Sequence, residues 1–388
     1  MIDDARQETK GALARFTRDL TAEAGAGRLE PVRCREDEIA RVIDILLRHG
    51  KNNPVLVGPA GVGKTAIADG FAQRIAAGAV PLVLRDVRVL SLDHVGLLAG
   101  TTYRGQYEER IRMLVQETTS ATDAILFIDE MHNLIGQGTA MGAAMDAANM
   151  LKPSLARGDF RVIGATTDEE YDRWIGGDPA LERRFQKVLV RELGVDDTLH
   201  ILRARKERLE RHHNVVISDE ALEASVELTD RYVTDRRRPD KAIDALDEAC
   251  AHAQANATYP PRAETLMRDR VRRLRDAQAR GTNGALPASG GHQAADAQWN
   301  AIARDGMSAL ERFGAELESM LSKTPAGAPP PVPQPRRSEP LAPEPLTTLG
   351  EIETELARVL AEEGIVVRGH DVARVVGLMS GLAIAWDR

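Results

Sequence analysis

Between about residues 54 and 193, short apolar runs alternate with longer stretches of helical pattern. The runs fall at 54–57, 87–90, 124–128, 161–165 and 187–190. They are apolar without alternation, as strands buried on both faces are. The pattern predicts an α/β fold, a parallel sheet flanked by helices. Ahead of it, 36–48 places apolar side chains at 39, 42, 43, 45, 46 and 47, and so predicts a helix. Residues 1–30 read as a polar helix and a loop. From 196 to 257 the pattern is all helical. Asp196 starts one helix, Ser218 caps a second with Asp219 and Glu220 in its first turn, and Pro239-Asp240 opens a third. Residues 263–279 predict a charged helix, followed by the flexible break GTNGALPASGG. Residues 293–321 are again helical in pattern. Nine of the 19 prolines lie between Pro325 and Pro345, which marks an extended linker. Residues 348–388 read as two short helices.

Composition adds boundaries to this picture. The 388 residues allow two or three domains. The chain carries 51 basic and 59 acidic residues, a net charge of −8, so it has no electrostatic footprint for nucleic acid. A local basic patch is conceivable at Arg236-Arg237-Arg238. Cys34 and Cys250 are the two cysteines, so no disulfide framework is implied and a reducing cytoplasm fits. The charged N-terminus MIDDARQETK has no apolar core of a signal peptide, and no run approaches a membrane span.

Two motifs carry the chemistry. Gly58-Pro59-Ala60-Gly61-Val62-Gly63-Lys64-Thr65 fits G-x-x-x-x-G-K-[ST]. It follows an apolar run and opens onto a helical stretch, as a phosphate cradle requires. Its glycines let several backbone N–H groups point at one anion. Lys64 would reach the β- and γ-phosphates of ATP, and Thr65 would place its hydroxyl on Mg²⁺. The run Ile125-Leu126-Phe127-Ile128 then delivers Asp129 and Glu130 at the end of a buried strand. Asp129 can hold the Mg²⁺ shell, and Glu130 can orient or deprotonate the attacking water.

Longer stretches narrow the family. KNNPVLVGPAGVGKTAI (51–67), YRGQYEERIR (103–112), ILFIDEMHNLIG (125–136), NMLKPSLARG (149–158), GATTDEEY (164–171), ALERRFQKV (180–188) and RPDKAIDALDEA (238–249) occur in series. The series resembles the first AAA+ module of the Clp ATPases, the ClpA, ClpB and ClpC group, over about residues 17–257. The resemblance implies a large α/β nucleotide-binding subdomain at 31–193 and a small helical lid at 194–257. An N-terminal helix and loop would precede them at 1–30. A helical extension (258–322), a Pro-rich linker (323–347) and a C-terminal helical segment (348–388) would follow as a partly disordered tail. It also implies a homo-hexameric ring that remodels or unfolds protein clients. Thr167 matches the position that senses the γ-phosphate. Arg183 and Arg184 match the arginine fingers that reach a neighbour's site, and Tyr103 matches the client-gripping aromatic of the pore loop.

The chain also departs from the family. Val32-Arg33-Cys34-Arg35 stands where the family has Val-Ile-Gly-Arg around the adenine, Thr102 replaces a Lys before the pore Tyr, and Arg238 replaces a Leu. No N-terminal client-receiving domain and no second module are expected, so the peptidase-docking loop should be absent. Val376-Gly377-Leu378 resembles that loop only superficially, lies in a helical stretch and reads as core packing. Residues 366–384 resemble the segment that leads into the second module. His212-His213 are adjacent on a helix and so do not share a face for a metal. Asp168-Glu169-Glu170 reads as a helix N-terminus. Two other functions fit the residues: an ATP-dependent switch or adaptor working through a partner without threading, and a nucleic-acid-associated AAA+ ATPase.

Overall fold

The computed structural model describes residues 11–101, 104–135, 153–154, 161–282 and 348–386. Tyr103, Thr102, the stretch 293–321 and the Pro-rich segment lie outside the described residues.

The described residues build a six-stranded sheet: β1 (Thr17–Asp19), β2 (Asn53–Val57), β3 (Arg88–Leu92), β4 (Ala124–Ile128), β5 (Arg161–Thr166) and β6 (Phe185–Leu189). The order is β1-β3-β4-β5-β2-β6, parallel except where β1 runs antiparallel to β3. Each of the five expected strands is present, with ends shifted by at most two residues. Every residue of β2 and β4 is buried. Successive side chains point to opposite faces, so one set joins a core with Tyr107, Ile111 and Leu114, and the other a core with Ile67, Phe71 and Ile45. This two-sided burial is why the runs lack alternation.

The N-terminal stretch corrects the expectation of a polar helix and loop. Residues 11–25 form α1 (Ala12–Phe16), β1 and α2 (Leu20–Gly25), with Phe16 and Leu20 buried. Three residues reading Thr-Arg-Asp carry no strand pattern. Their place is decided by backbone pairing of Thr17 with Leu92 and by Val89 N–H donating to Thr21 Oγ1 at 2.8 Å. Glu117, on a distant helix, accepts from Ala12 N and Leu13 N at 2.7 and 2.9 Å and caps α1.

The helices around the sheet are α3 (Glu36–Leu46), α4 (Lys64–Ala76), α5 (His94–Leu98), α6 (Arg104–Ser120), α7 (Met131–Ile135), α8 (Asp168–Tyr171) and α9 (Pro179–Glu182). The lid follows as α10 (Val195–His213), α11 (Asp219–Tyr232) and α12 (Asp240–Asn256). Ser218 caps α11 by accepting from Ala221 N at 3.1 Å. His213 is buried, with ring nitrogens 2.9 Å from Asp247 Oδ1 and 3.2 Å from Gln254 Oε1, so it ties α10 to α12, while His212 faces solvent. No metal-binding cluster of acidic, His and Cys side chains occurs among the described residues.

Two short strands escape the sequence pattern. β7 (Val216–Ile217) pairs in parallel with β8 (Val366–Val367), across 150 residues of chain. Helix α15 (Gly369–Ser380) packs on α11 and α12, and Trp386 Nε1 donates to Glu220 Oε1 at 2.7 Å. Residues 360–386 therefore belong to the same compact unit as the sheet and the lid. Val376 is fully buried in α15, as core packing requires, but Leu378 is 67% exposed, which corrects the reading for that residue. Residues 259–359 form a second unit, described as α13 (Pro261–Thr282) and most of α14 (Leu349–Glu362), joined by an Arg262–Glu355 ion pair.

Candidate active site

The phosphate cradle begins where β2 ends. A Cβ on Gly58 would stand 2.2 Å from the Val190 carbonyl oxygen, so no other residue fits between β2 and the chain leaving β6. Gly63 takes φ 89° as the cap of α4, a left-handed value that glycine tolerates. Lys64 is the first residue of α4, and its ammonium donates to Gly58 O at 2.9 Å and Pro59 O at 2.8 Å. Burial lowers its pKa, opposed by Asp129, Glu170, Glu130 and Asp168. The loop, with Asp129, Glu130 and Glu170, lines a cavity of about 580 Å³.

The end of β4 faces the same cavity. Thr65 Oγ1 donates to Asp129 Oδ2 at 2.6 Å, and Glu130 N–H donates to Asp129 Oδ1 at 2.9 Å. A hydroxyl and a carboxylate oxygen held together at a phosphate cradle are the hard donors that suit Mg²⁺. Glu130 has φ 45°, a strained value for a residue with a side chain, and Asn133 Nδ2 donates to its Oε2 at 2.8 Å. The sequence reading placed Lys64, Thr65, Asp129 and Glu130 together, and the structure brings them to one cavity. It missed Asn133.

Thr167 follows β5 and lines this cavity too. It caps α8, and Glu170 completes the capping box. The helix N-terminus expected at 168–170 is present, yet Glu170 does more. Its Oε2 accepts from Thr167 Oγ1 at 2.8 Å and lies 2.8 Å from His132 Nδ1. Burial alone would raise the Glu170 carboxyl, but hydrogen bonds from Thr167 and the nearby His132 bring it below its usual value. The T-x-x-E spacing at 167–170 was the readable signal for Glu170. Nothing in the sequence pointed to His132.

A second cavity, of about 330 Å³, adjoins the cradle and is lined by Val32, Arg33, Val62, Ile201, Pro239 and Ile243. Its apolar lid residues suit a nucleobase. Asp240 lines both cavities. Arg35, only 4% exposed, donates to Val62 O at 2.6 Å and Arg191 O at 2.9 Å, clamping the cradle from behind. Cys34 sits at φ 60°, a conformation natural to the glycine of the resembling family. Arg33 is exposed and lines this cavity, at the position where the resembling family has an aliphatic residue.

Comparison with known proteins agrees with this geometry. Residues 54–193 match the family model of the ATPase family associated with various cellular activities (AAA), and residues 194–290 match the AAA lid domain. The chaperone protein ClpB of Mesorhizobium japonicum is 51% identical over 270 residues, 69% of this chain and 31% of that protein. ClpB of Vibrio cholerae is 47% identical over 319 residues, 82% of this chain and 36% of that protein. Residues 54–290 form an AAA ATPase module with its lid, similar to that of the ClpB chaperones. Among solved structures, a Saccharomyces cerevisiae Hsp104:casein complex superposes with a TM-score of 0.57 at 45% identity, over 63% of this chain and 42% of the other. An Hsp104–ADP complex gives 0.59 at 44% identity, over 63% and 41%. The module spans about a third of the length of the curated relatives it matches.

The arginines that the sequence analysis singled out lie away from the cradle. Asn53 N–H donates to Arg184 O, and Asn53 pairs with Phe185, so Arg183 and Arg184 stand at the N-terminal ends of β2 and β6. The cradle leaves the C-terminal end of β2. A five-residue strand separates them by roughly 15 Å, further than an arginine side chain reaches. Arg183 is exposed, Arg184 is half-buried, and neither guanidinium has a partner among the described residues. Arg238 lies between Glu192 and Asp230, at 3.3 and 3.2 Å, and so links the end of the sheet region to the lid. No helix among the described residues is long and apolar enough to cross a membrane.

Proposed function

We propose that the chain binds ATP with Mg²⁺, hydrolyses it, and uses the turnover to remodel or unfold protein clients as a subunit of a homo-hexameric ring. The observation that carries this reading is the division of the catalytic set. Lys64, Thr65, Asp129, Glu130 and Thr167 line one cavity, yet no arginine lines it among the described residues. The guanidinium groups of Arg183 and Arg184, at the opposite end of the strands, have no partner among the described residues. A site that lacks its arginine in cis and an arginine pair that cannot reach its own site are complementary in a ring.

In this reading the cradle N–H groups and Lys64 hold the phosphates. Mg²⁺ on Thr65 and Asp129 would neutralise charge on the β- and γ-phosphates. Asn133 occupies Glu130 Oε2 and leaves Oε1 to take a proton from the attacking water. Thr167 reads the γ-phosphate. A neighbour's Arg183 and Arg184 stabilise the charge that develops in transfer, a contribution worth roughly 10³–10⁵ in rate. Tyr103 grips the client. The relatives are chaperones by name, and one Hsp104 complex contains casein, which supports a polypeptide client.

The test is mass measurement in solution with and without ATP on Glu130→Gln, which retains nucleotide and should assemble into hexamers. A variant that stays monomeric in saturating ATP removes the ring. Lys64→Ala should abolish hydrolysis, and unchanged turnover would overturn the site assignment. Arg183→Ala with Arg184→Ala should lower turnover by about 10³-fold without weakening nucleotide binding.

A further inference from the structure

The sensing position beside the phosphate cavity is not free to act alone. Glu170 Oε2 receives Thr167 N–H at 3.1 Å, Thr167 Oγ1–H at 2.8 Å and Thr166 Oγ1–H at 3.1 Å, and His132 Nδ1 stands 2.8 Å away. One carboxylate oxygen thus gathers four polar groups from the ends of two neighbouring strands. His132 lies two residues beyond Glu130 on α7. That helix is anchored to β5 by Met131, fully buried, whose sulfur fills the space a Cβ on Gly164 would need. His132, Thr166, Thr167 and Glu170 all line the phosphate cavity.

A threonine hydroxyl has one hydrogen to donate. While it points at Glu170 it cannot also point at a phosphate oxygen. Glu170 is moreover a negative charge on the wall of a cavity shaped for negative ligands, and Lys64 lies within its field. The hydrogen bond from His132 Nδ1 draws charge from the same oxygen that Thr167 must leave.

We infer that Glu170 and His132 form a dyad of positioning residues that sets how readily the Thr167 hydroxyl turns to the γ-phosphate, and so sets the preference for ATP over ADP. Glu170 holds the hydroxyl back, and His132 weakens that hold by sharing Oε2. The dyad ties the β4 end, which carries Glu130, to the β5 end, which carries Thr167. It rests on the proposed reading of Thr167 as the group that meets the γ-phosphate.

The dyad demands opposite signs from its two members. In Glu170→Gln the amide oxygen still accepts Thr167 N–H and the capping of α8 survives, but the charge is gone. The ratio of ADP to ATPγS dissociation constants, read by displacement of a fluorescent ADP from the full chain, should rise about fivefold. In His132→Ala Glu170 keeps its full charge, and the ratio should fall by a similar factor. His132→Asn places an amide donor near the Nδ1 position and should restore the wild-type ratio. In the double variant the His132→Ala effect should vanish, because it acts through Glu170. ADP affinity should move less than ATPγS affinity, and the unfolding temperature should stay close to wild type throughout. An unchanged ratio and unchanged turnover in Thr167→Ala overturn the underlying reading of Thr167. A clear Thr167→Ala effect, with Glu170→Gln and His132→Ala moving the ratio in the same direction or moving ADP as much as ATPγS, overturns the dyad alone.

Discussion

Asp69 offers a stability prediction whose sign depends on pH. It lies on α4 at the wall of the base cavity, and its Oδ1 is buried without a hydrogen-bond partner. Burial pushes the carboxyl from its ordinary 3.8 up to about 6, and Arg18 offsets this only in part. Its ionised form is thus disfavoured by folding. Well below its ordinary 3.8 the group is neutral in both states and contributes nothing. Between about pH 4 and 6 the unfolded chain loses the proton while the folded chain keeps it, so stability falls as pH rises. Above about 6 the full penalty is present. A rise of this size is worth ~3 kcal/mol as an upper limit. The carboxyl keeps some contact with water, which halves the figure to ~1.5 kcal/mol. Asp69→Asn is permanently neutral and nearly isosteric. At pH 7.5 it should be more stable by ~1.5 kcal/mol, a rise of ~3–6 °C in Tm for a domain of this size. At pH 4 the offset should shrink to ~0.3 kcal/mol. Thermal unfolding followed by circular dichroism at pH 4, 5.5 and 7.5 measures both the offset and its growth. A variant less stable at pH 7.5, or an offset that does not change with pH, refutes the assignment of a strained ionised carboxyl.

Two further substitutions probe the backbone around the site. Gly58→Ala places a methyl 2.2 Å from the Val190 carbonyl, a rigid neighbour, so the cradle must move. ATP binding should weaken by at least tenfold in a displacement assay, and wild-type affinity would show that the cradle does not need this close approach. Cys34→Gly relieves a left-handed φ of 60° at the cost of a more flexible unfolded chain. A net gain of ~0.5–1 kcal/mol is expected in urea unfolding at neutral pH, and a loss would mean that the Cys34 side chain is needed for packing.

The active-site loops were legible because their chemistry is local. Gly58 to Thr65 must have that order to leave a strand, turn around an anion and start a helix. Asp129 and Glu130 must follow a strand to face it. The five buried runs were legible for the same reason, since burial on both faces leaves an uninterrupted apolar signature. β1 was not, because Thr17–Asp19 is held by backbone pairing with β3 and shows no pattern of its own. β7 and β8 were hidden likewise. Two residues each, they exist only because segments 150 residues apart meet in the lid.

The sequence by itself determined the α/β layering, the phosphate cradle and the acidic pair that completes it, because periodicity and short-range geometry fix these within a few residues. The tertiary structure decided which distant side chains join them. It set Arg183 and Arg184 at the far end of the strands that carry the cradle. It brought His132 from the end of β4 to Glu170 beyond β5, where one carboxylate oxygen holds the Thr167 hydroxyl. Such meetings depend on strand order, and strand order leaves no mark on the local pattern of a chain.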